Sequence, residues 1–255
     1  MKSLEDQLRH LRASGRKALV PYFVAGLTPD WVRHVEAAVH GGADAVEIGI
    51  PFSDPMIDGV VIQEAALRAL QLGTTIDSIC ADLASLSASV PLVAMTYFNM
   101  FHHYGLERSA GKLHSSGIGG AIVPDLSLEE AEEWKGVCDQ CDVATIFLVA
   151  PSTPSKRVAK VAAASEGFIY ASARMAVTGQ AADIGDAERV VGSVRAVCDT
   201  PTYVGIGIST PQLAREAGEI SDGVIVGSAL VRLILDGADA SKVETFVASF
   251  RHALD

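Results

Sequence analysis

Eight short apolar runs, each followed by a segment of helical spacing, constrain this chain more than any other feature. They are ALVPYFV (18–24), DAVEIGI (44–50), VPLVAMTY (90–97), GGAIVPD (119–125), VATIFLVA (143–150), GFIYAS (167–172), TYVGIG (202–207) and DGVIVGS (222–228). After the first, DWVRHVEAAVHGG sets Val32, Val35, Ala38 and Val39 on one helical face and stops at glycine. STPSKRVAKVAAAS and STPQLAREAGEIS each open with Thr-Pro, read as a cap followed by proline at the first helical position. Strands that alternate with helices make a parallel sheet, and eight of them close a (β/α)8 barrel, the TIM barrel. No linker or shift in composition divides residues 1–255, so a single α/β barrel domain is expected. The rival is an open doubly wound sheet. It would usually show a glycine fingerprint after its first strand, where AGLTPD stands instead.

A net charge of −11 argues against nucleic acid and anionic membranes as partners, since both call for a positive surface. No window approaches 18 uninterrupted apolar residues, and the charged N-terminus has no apolar signal core, so a cytoplasmic location is expected. Four cysteines do not make a disulfide framework in a chain of this length. CDQC (138–141) is a lone pair, and a metal site would need a second one, so no metal is expected. His102 and His103 read as surface residues, and His34 and His40 as residues of a helix face.

The stretch EIGIPFSDPMIDG (47–59) is anomalous because it sets a carboxylate inside an apolar strand. Ala45, Glu47 and Gly49 share one strand face, and Val46, Ile48 and Ile50 the other. With the branched residues packed under helices, Glu47 points into the barrel near its C-terminal mouth, where this fold carries its active sites. Burial there raises a carboxyl pKa toward neutrality, the range useful for proton transfer. The bland alternative is a structural pair with a buried Arg or Lys. Asp54 and Asp58 lie in the following loop, and composition alone leaves each open as a turn residue or a catalyst.

Glycines recur at three late strand ends: Gly179 in VTGQ, Gly205 and Gly207 in VGIGIST, and Gly227 with Ser228 in VGSAL. Singly each is a turn residue. Together they suit a phosphate, because bare backbone amides and a short helix N-terminus can approach its oxygens closely. SALVRLILDG reads as that extra helix, before a final one in DASKVETFVASFRHAL.

In order along the chain, EIGIPFSDPMIDG, VPD (123–125), IFLVAPSTP (146–154), VTG (177–179), VGIGIST (204–210) and DGVIVGSAL (222–230) resemble the tryptophan synthase alpha chain family. ERSAGKLHSSGIGGAIVPDL (107–126) adds to the likeness. The resemblance implies a reversible retro-aldol cleavage of indole-3-glycerol phosphate to indole and glyceraldehyde 3-phosphate. It implies Glu47 as the carboxyl that moves protons and Asp58 as the one that balances charge on the indole nitrogen. Gly179, Gly205, Gly207, Gly227 and Ser228 match its phosphate contacts, and Tyr22, Tyr97 and Tyr170 its indole pocket. Thr178 matches a residue of a closing loop, and Asp54, Pro55 and Asn99 match positions that meet a beta chain. The implied assembly is an αββα heterotetramer. Pyridoxal phosphate belongs to the beta chain, so this chain is expected to need no cofactor. The sequence departs from the family at Ala176, where glycine is usual, at QAADIGD after VTG, at Val60 and at Met100. Two alternatives stay open: a stand-alone indole-3-glycerol phosphate lyase, and a weakly active subunit that regulates a beta chain.

Overall fold

The computed structural model describes residues 4–86, 89–172, 184–205 and 207–255. Strands form inside all eight apolar runs: β1 (Ala18–Val24), β2 (Val46–Gly49), β3 (Leu92–Met95), β4 (Ile118–Ile122), β5 (Ala144–Ile146), β6 (Leu148–Val149), β7 (Ile169–Ser172), β8 (Thr202–Gly205) and β9 (Gly223–Val226). The fifth run is broken at Phe147, giving among the described residues nine strands in one parallel sheet of order β5-β4-β3-β2-β1-β9-β8-β7-β6. Its two outer strands are therefore the halves of one run, and the ring closes through Phe147. There the Phe147 N–H donates to Ser165 Oγ at 3.1 Å, and its carbonyl accepts from the Tyr170 N–H at 3.1 Å.

Val46, Ile48 and Ile50 pack outward in the layer between strands and helices, as the alternation requires. Ala45, Val93, Ile122, Ile146, Tyr203 and Ile225 fill the barrel interior. The floor is closed by α1 (Leu4–Ala13), whose Leu4 and Leu8 join that inner cluster. Gly120 and Gly167 clear space for it, since a Cβ there would come within 2.7 and 2.9 Å of Leu4 Cδ2.

Two carboxylates at the floor are paired. Asp44 accepts from the Leu19 N–H and from Arg251 Nη1, both at 2.9 Å, and from Arg16 Nε at 2.7 Å. Asp222 accepts from the Thr202 N–H at 2.9 Å, with Arg12 Nε at 3.3 Å. Each ties one strand start to its neighbour and to a helix, a stabilising role suited to this end of a barrel.

Two local expectations need correction. In α2 (Trp31–His40) Val35 and Ala38 are buried and Val32 and Val39 pack against the core from its edge, as expected, but His34 is buried with them, beside Trp31 and Ala37. In α8 (Ser155–Ala164) Pro154 takes the cap position, because Thr153 Oγ1 accepts from the Ala150 N–H at 3.0 Å instead. In α10 (Pro211–Ile220) Thr210 does cap, accepting from the Leu213 N–H.

Candidate active site

At the C-terminal mouth a cavity opens between β1, β2, β7 and β9. Glu47, Asp58, Tyr22 and Tyr170 line it, with Gly207, Gly227 and Ser228 across from them. Ile62, Met95, Ile208 and Ile225 supply an apolar wall that strand and helix periodicity left undistinguished from core.

Glu47 is 1% exposed, and its Oε2 has no hydrogen-bond partner among the described residues. No described Arg or Lys pairs with it, in contrast to Asp44 and Asp222 at the floor. Burial raises its carboxyl to about 8, and the nearby Asp58 charge adds to the rise. The group is therefore protonated at neutral pH, with ionisation close at hand.

Asp58 lies in the loop before α3 (Val60–Gln71). Burial raises its pKa too, but a hydrogen bond from Tyr97 opposes the rise. The Tyr97 hydroxyl donates to Asp58 Oδ2 at 2.9 Å and accepts from the Ile57 N–H at 2.9 Å. Tyr97 lines an adjoining cavity with Phe52, Pro55 and Pro124, and its ring lies 5.2 Å from that of Phe52.

Tyr22 stands opposite Glu47 in the β1–β2 register. Its ring fits because Gly49 has no side chain: a Cβ there would lie 2.1 Å from the Tyr22 hydroxyl. Gly205 clears Tyr170 in the same way, again at 2.1 Å. Gly205 is thus accounted for by packing and does not line the cavity, whereas Gly207 does, with a left-handed φ of +92°. Ser228 is the first residue of α11 (Ser228–Leu235), the short extra helix, so that helix points its unsatisfied N-terminal amides at the mouth.

Thr178 and Gly179, like Ala176, lie outside the described residues. Asp54 and Asn99 are exposed and Pro55 is half-buried, beside an apolar rim in which Met56 is 81% and Val60 76% exposed. Among the described residues no cluster of three His, Cys, Asp or Glu is placed to hold a metal, and no helix is long and apolar enough to cross a membrane. Cys138 and Cys141 are free thiols.

A family model described as "Tryptophan synthase alpha chain" matches residues 8–253. The chain belongs to that family. The tryptophan synthase alpha chain of Streptomyces coelicolor is 42% identical over 92% of this chain and 89% of its own length. That of Laribacter hongkongensis is 40% identical over the full length of both. Among solved structures, tryptophan synthase from Mycobacterium tuberculosis superposes with a TM-score of 0.91 at 35% identity, covering 98% of this chain and 97% of that one. Tryptophan synthase subunit alpha from Legionella pneumophila gives 0.91 at 30% identity, over 100% and 99%. The barrel is the tryptophan synthase alpha fold, and the activity is the family's lyase reaction on indole-3-glycerol phosphate.

Proposed function

We propose that Glu47 and Asp58 divide the proton and charge work of this cleavage. The observation that carries the reading is the buried Glu47 carboxyl, whose Oε2 has no hydrogen-bond partner among the described residues. Held protonated at neutral pH, it can give its proton to indole C3, leaving positive charge on the ring nitrogen. As carboxylate it then takes the proton of the adjacent glycerol hydroxyl. The O–H electron pair becomes the aldehyde C=O, and the pair of the breaking C–C bond returns to the ring as indole. Glu47 ends as it began, protonated. Asp58, held toward its ionised form by Tyr97, balances the transient charge on nitrogen.

In this reading Gly207, Gly227 and Ser228 hold the phosphate by main-chain amides and the α11 dipole, with Gly179 as a further contact, while Gly205 makes room for Tyr170. Tyr22, Tyr170 and Tyr97 border the indole, and Thr178 belongs to a loop that closes over it. The chain pairs with a beta chain through Asp54, Pro55 and Asn99, in an αββα heterotetramer in the cytoplasm. Exposure of Met56, Ile57 and Val60 beside Asp54 and Pro55 favours a partner over a self-sufficient lyase. No cofactor is required here; pyridoxal phosphate stays with the beta chain.

Indole release from indole-3-glycerol phosphate, measured with and without a beta chain, tests the assignment. Glu47→Gln and Asp58→Asn should each lose at least about a hundredfold in turnover, the scale of general acid–base catalysis. Retained turnover in Glu47→Gln would refute the proton role. Full activity of the wild type without a partner would favour the stand-alone lyase.

A further inference from the structure

Among the described side chains the Asp58 charge has little to support it. It is faced by Tyr22 from β1, Glu47 from β2, Tyr170 from β7 and Tyr97 from the turn before α5 (Phe98–Tyr104), all of them phenols or acids. No described Arg or Lys pairs with it, and burial works against the ionised form. Among the described side chains one acts in its favour, the Tyr97 hydroxyl at 2.9 Å from Oδ2. The direction of that hydrogen bond is settled by a second contact. The Ile57 amide is a donor only and occupies the phenol oxygen at 2.9 Å, so the phenol proton must point to Asp58. Tyr97 is itself 6% exposed and held against Phe52. The next residue is anchored as well, because the Phe98 N–H donates to Asp125 Oδ1 at 2.8 Å beyond β4.

We infer that Tyr97 is a positioning residue for Asp58: its hydroxyl locks the loop carboxylate in the acceptor state, leaving Oδ1 to meet the substrate. This goes beyond Tyr97 as a wall of the indole pocket, and it rests on the reading that Asp58 works as a carboxylate. The family resemblance offers an aromatic surface at this position. The geometry assigns the hydroxyl.

The test uses the full chain with its beta chain. In Tyr97→Phe the acidic limb of the pH profile of kcat/KM should move up by about one pH unit, since a hydrogen bond to a charged group is worth about tenfold or more. The kcat at neutral pH should fall about tenfold with KM changed less than about twofold, the signature of an interaction that matters in the transition state. Difference infrared titration, with the Asp58 band assigned through Asp58→Asn, should show the same upward move without any turnover. If Tyr97→Phe folds poorly, 3-fluorotyrosine placed at position 97 keeps the packing, strengthens the donor and should move the limb down. Unchanged limb and infrared titration, beside an inactive Asp58→Asn, would overturn the positioning role. Full activity of Asp58→Asn would instead sink the charge-balancing reading on which it stands.

Discussion

The Glu47 carboxyl should make this barrel less stable as pH rises, and Glu47→Gln should remove the effect. In the unfolded chain the group titrates near its ordinary 4.5; in the fold burial moves it to about 8. Between these values the native state binds the extra proton, so stability falls as pH increases. The contribution is fully present below about 4.5 and lost as pH passes through about 8. At about 1.4 kcal/mol per pH unit, the whole window corresponds to roughly 5 kcal/mol, a sizeable fraction of a domain's net stability. Gln is uncharged throughout and nearly the same shape. The advantage of Glu47→Gln should therefore be small at pH 5 and grow steadily to several kcal/mol by pH 8 to 9. Urea unfolding followed by the fluorescence of the buried Trp31 and Trp134 reads this directly. The difference between variants cancels every other titrating group. Parallel stability curves for the two chains from pH 5 to 9 would refute the claim of a neutral buried acid, and with it the acid-first order of catalysis.

Other changes test the frame around the site. Gly49→Ala places a Cβ 2.1 Å from the Tyr22 hydroxyl, so turnover should drop at least about tenfold, and Tyr22→Val in the same chain should restore stability by thermal melting. Leu8→Ala opens a cavity under the barrel floor and should cost about 2–5 kcal/mol in urea with kcat retained at low denaturant. Asp44→Ala strips the buried Arg251 of its buried ion-pair partner, leaving it the exposed Asp255, and should cost about 3–5 kcal/mol by the same measurement. Met56→Glu should abolish activation by a beta chain in the indole-release assay while leaving the unpartnered rate unchanged.

The sheet was legible because strand alternation and branched residues are local signals. Ala18 to Val24 forms a strand over the expected residues, and Val46, Ile48 and Ile50 turn outward as their spacing requires. The break at Phe147 left no such trace, for it depends on a hydroxyl at Ser165, on the far side of a helix. Leu4 and Leu8 have the spacing of a buried helical face, but nothing nearby says that the face meets a barrel floor. Glu47 was visible because an acid inside an apolar strand is costly unless it is used or paired. Gly49 and Gly205 were opaque for the opposite reason: what each glycine does is set by a tyrosine on the neighbouring strand.

The two acids of the mouth also differ in what can change them. Glu47 sits in the middle of a strand bonded on both sides, opposite Tyr22 and Val93, and its environment is as rigid as the barrel. Asp58 sits in a loop whose tip carries Met56 and Ile57 toward solvent, and whose shape is tied to α5 through one phenol. Under the proposed docking at Asp54, Pro55 and Asn99, a partner presses on both ends of that tie. Asn99 lies two residues past Tyr97, and Pro55 accepts from the Asp58 N–H at 3.1 Å. A beta chain can thus act on the Asp58 carboxylate directly and on Glu47 only through the Asp58 charge. Activation by the partner should accordingly appear chiefly in the acidic limb of the pH profile, with a smaller move of the basic limb near 8. A partner-induced shift of the basic limb alone would place the coupling elsewhere.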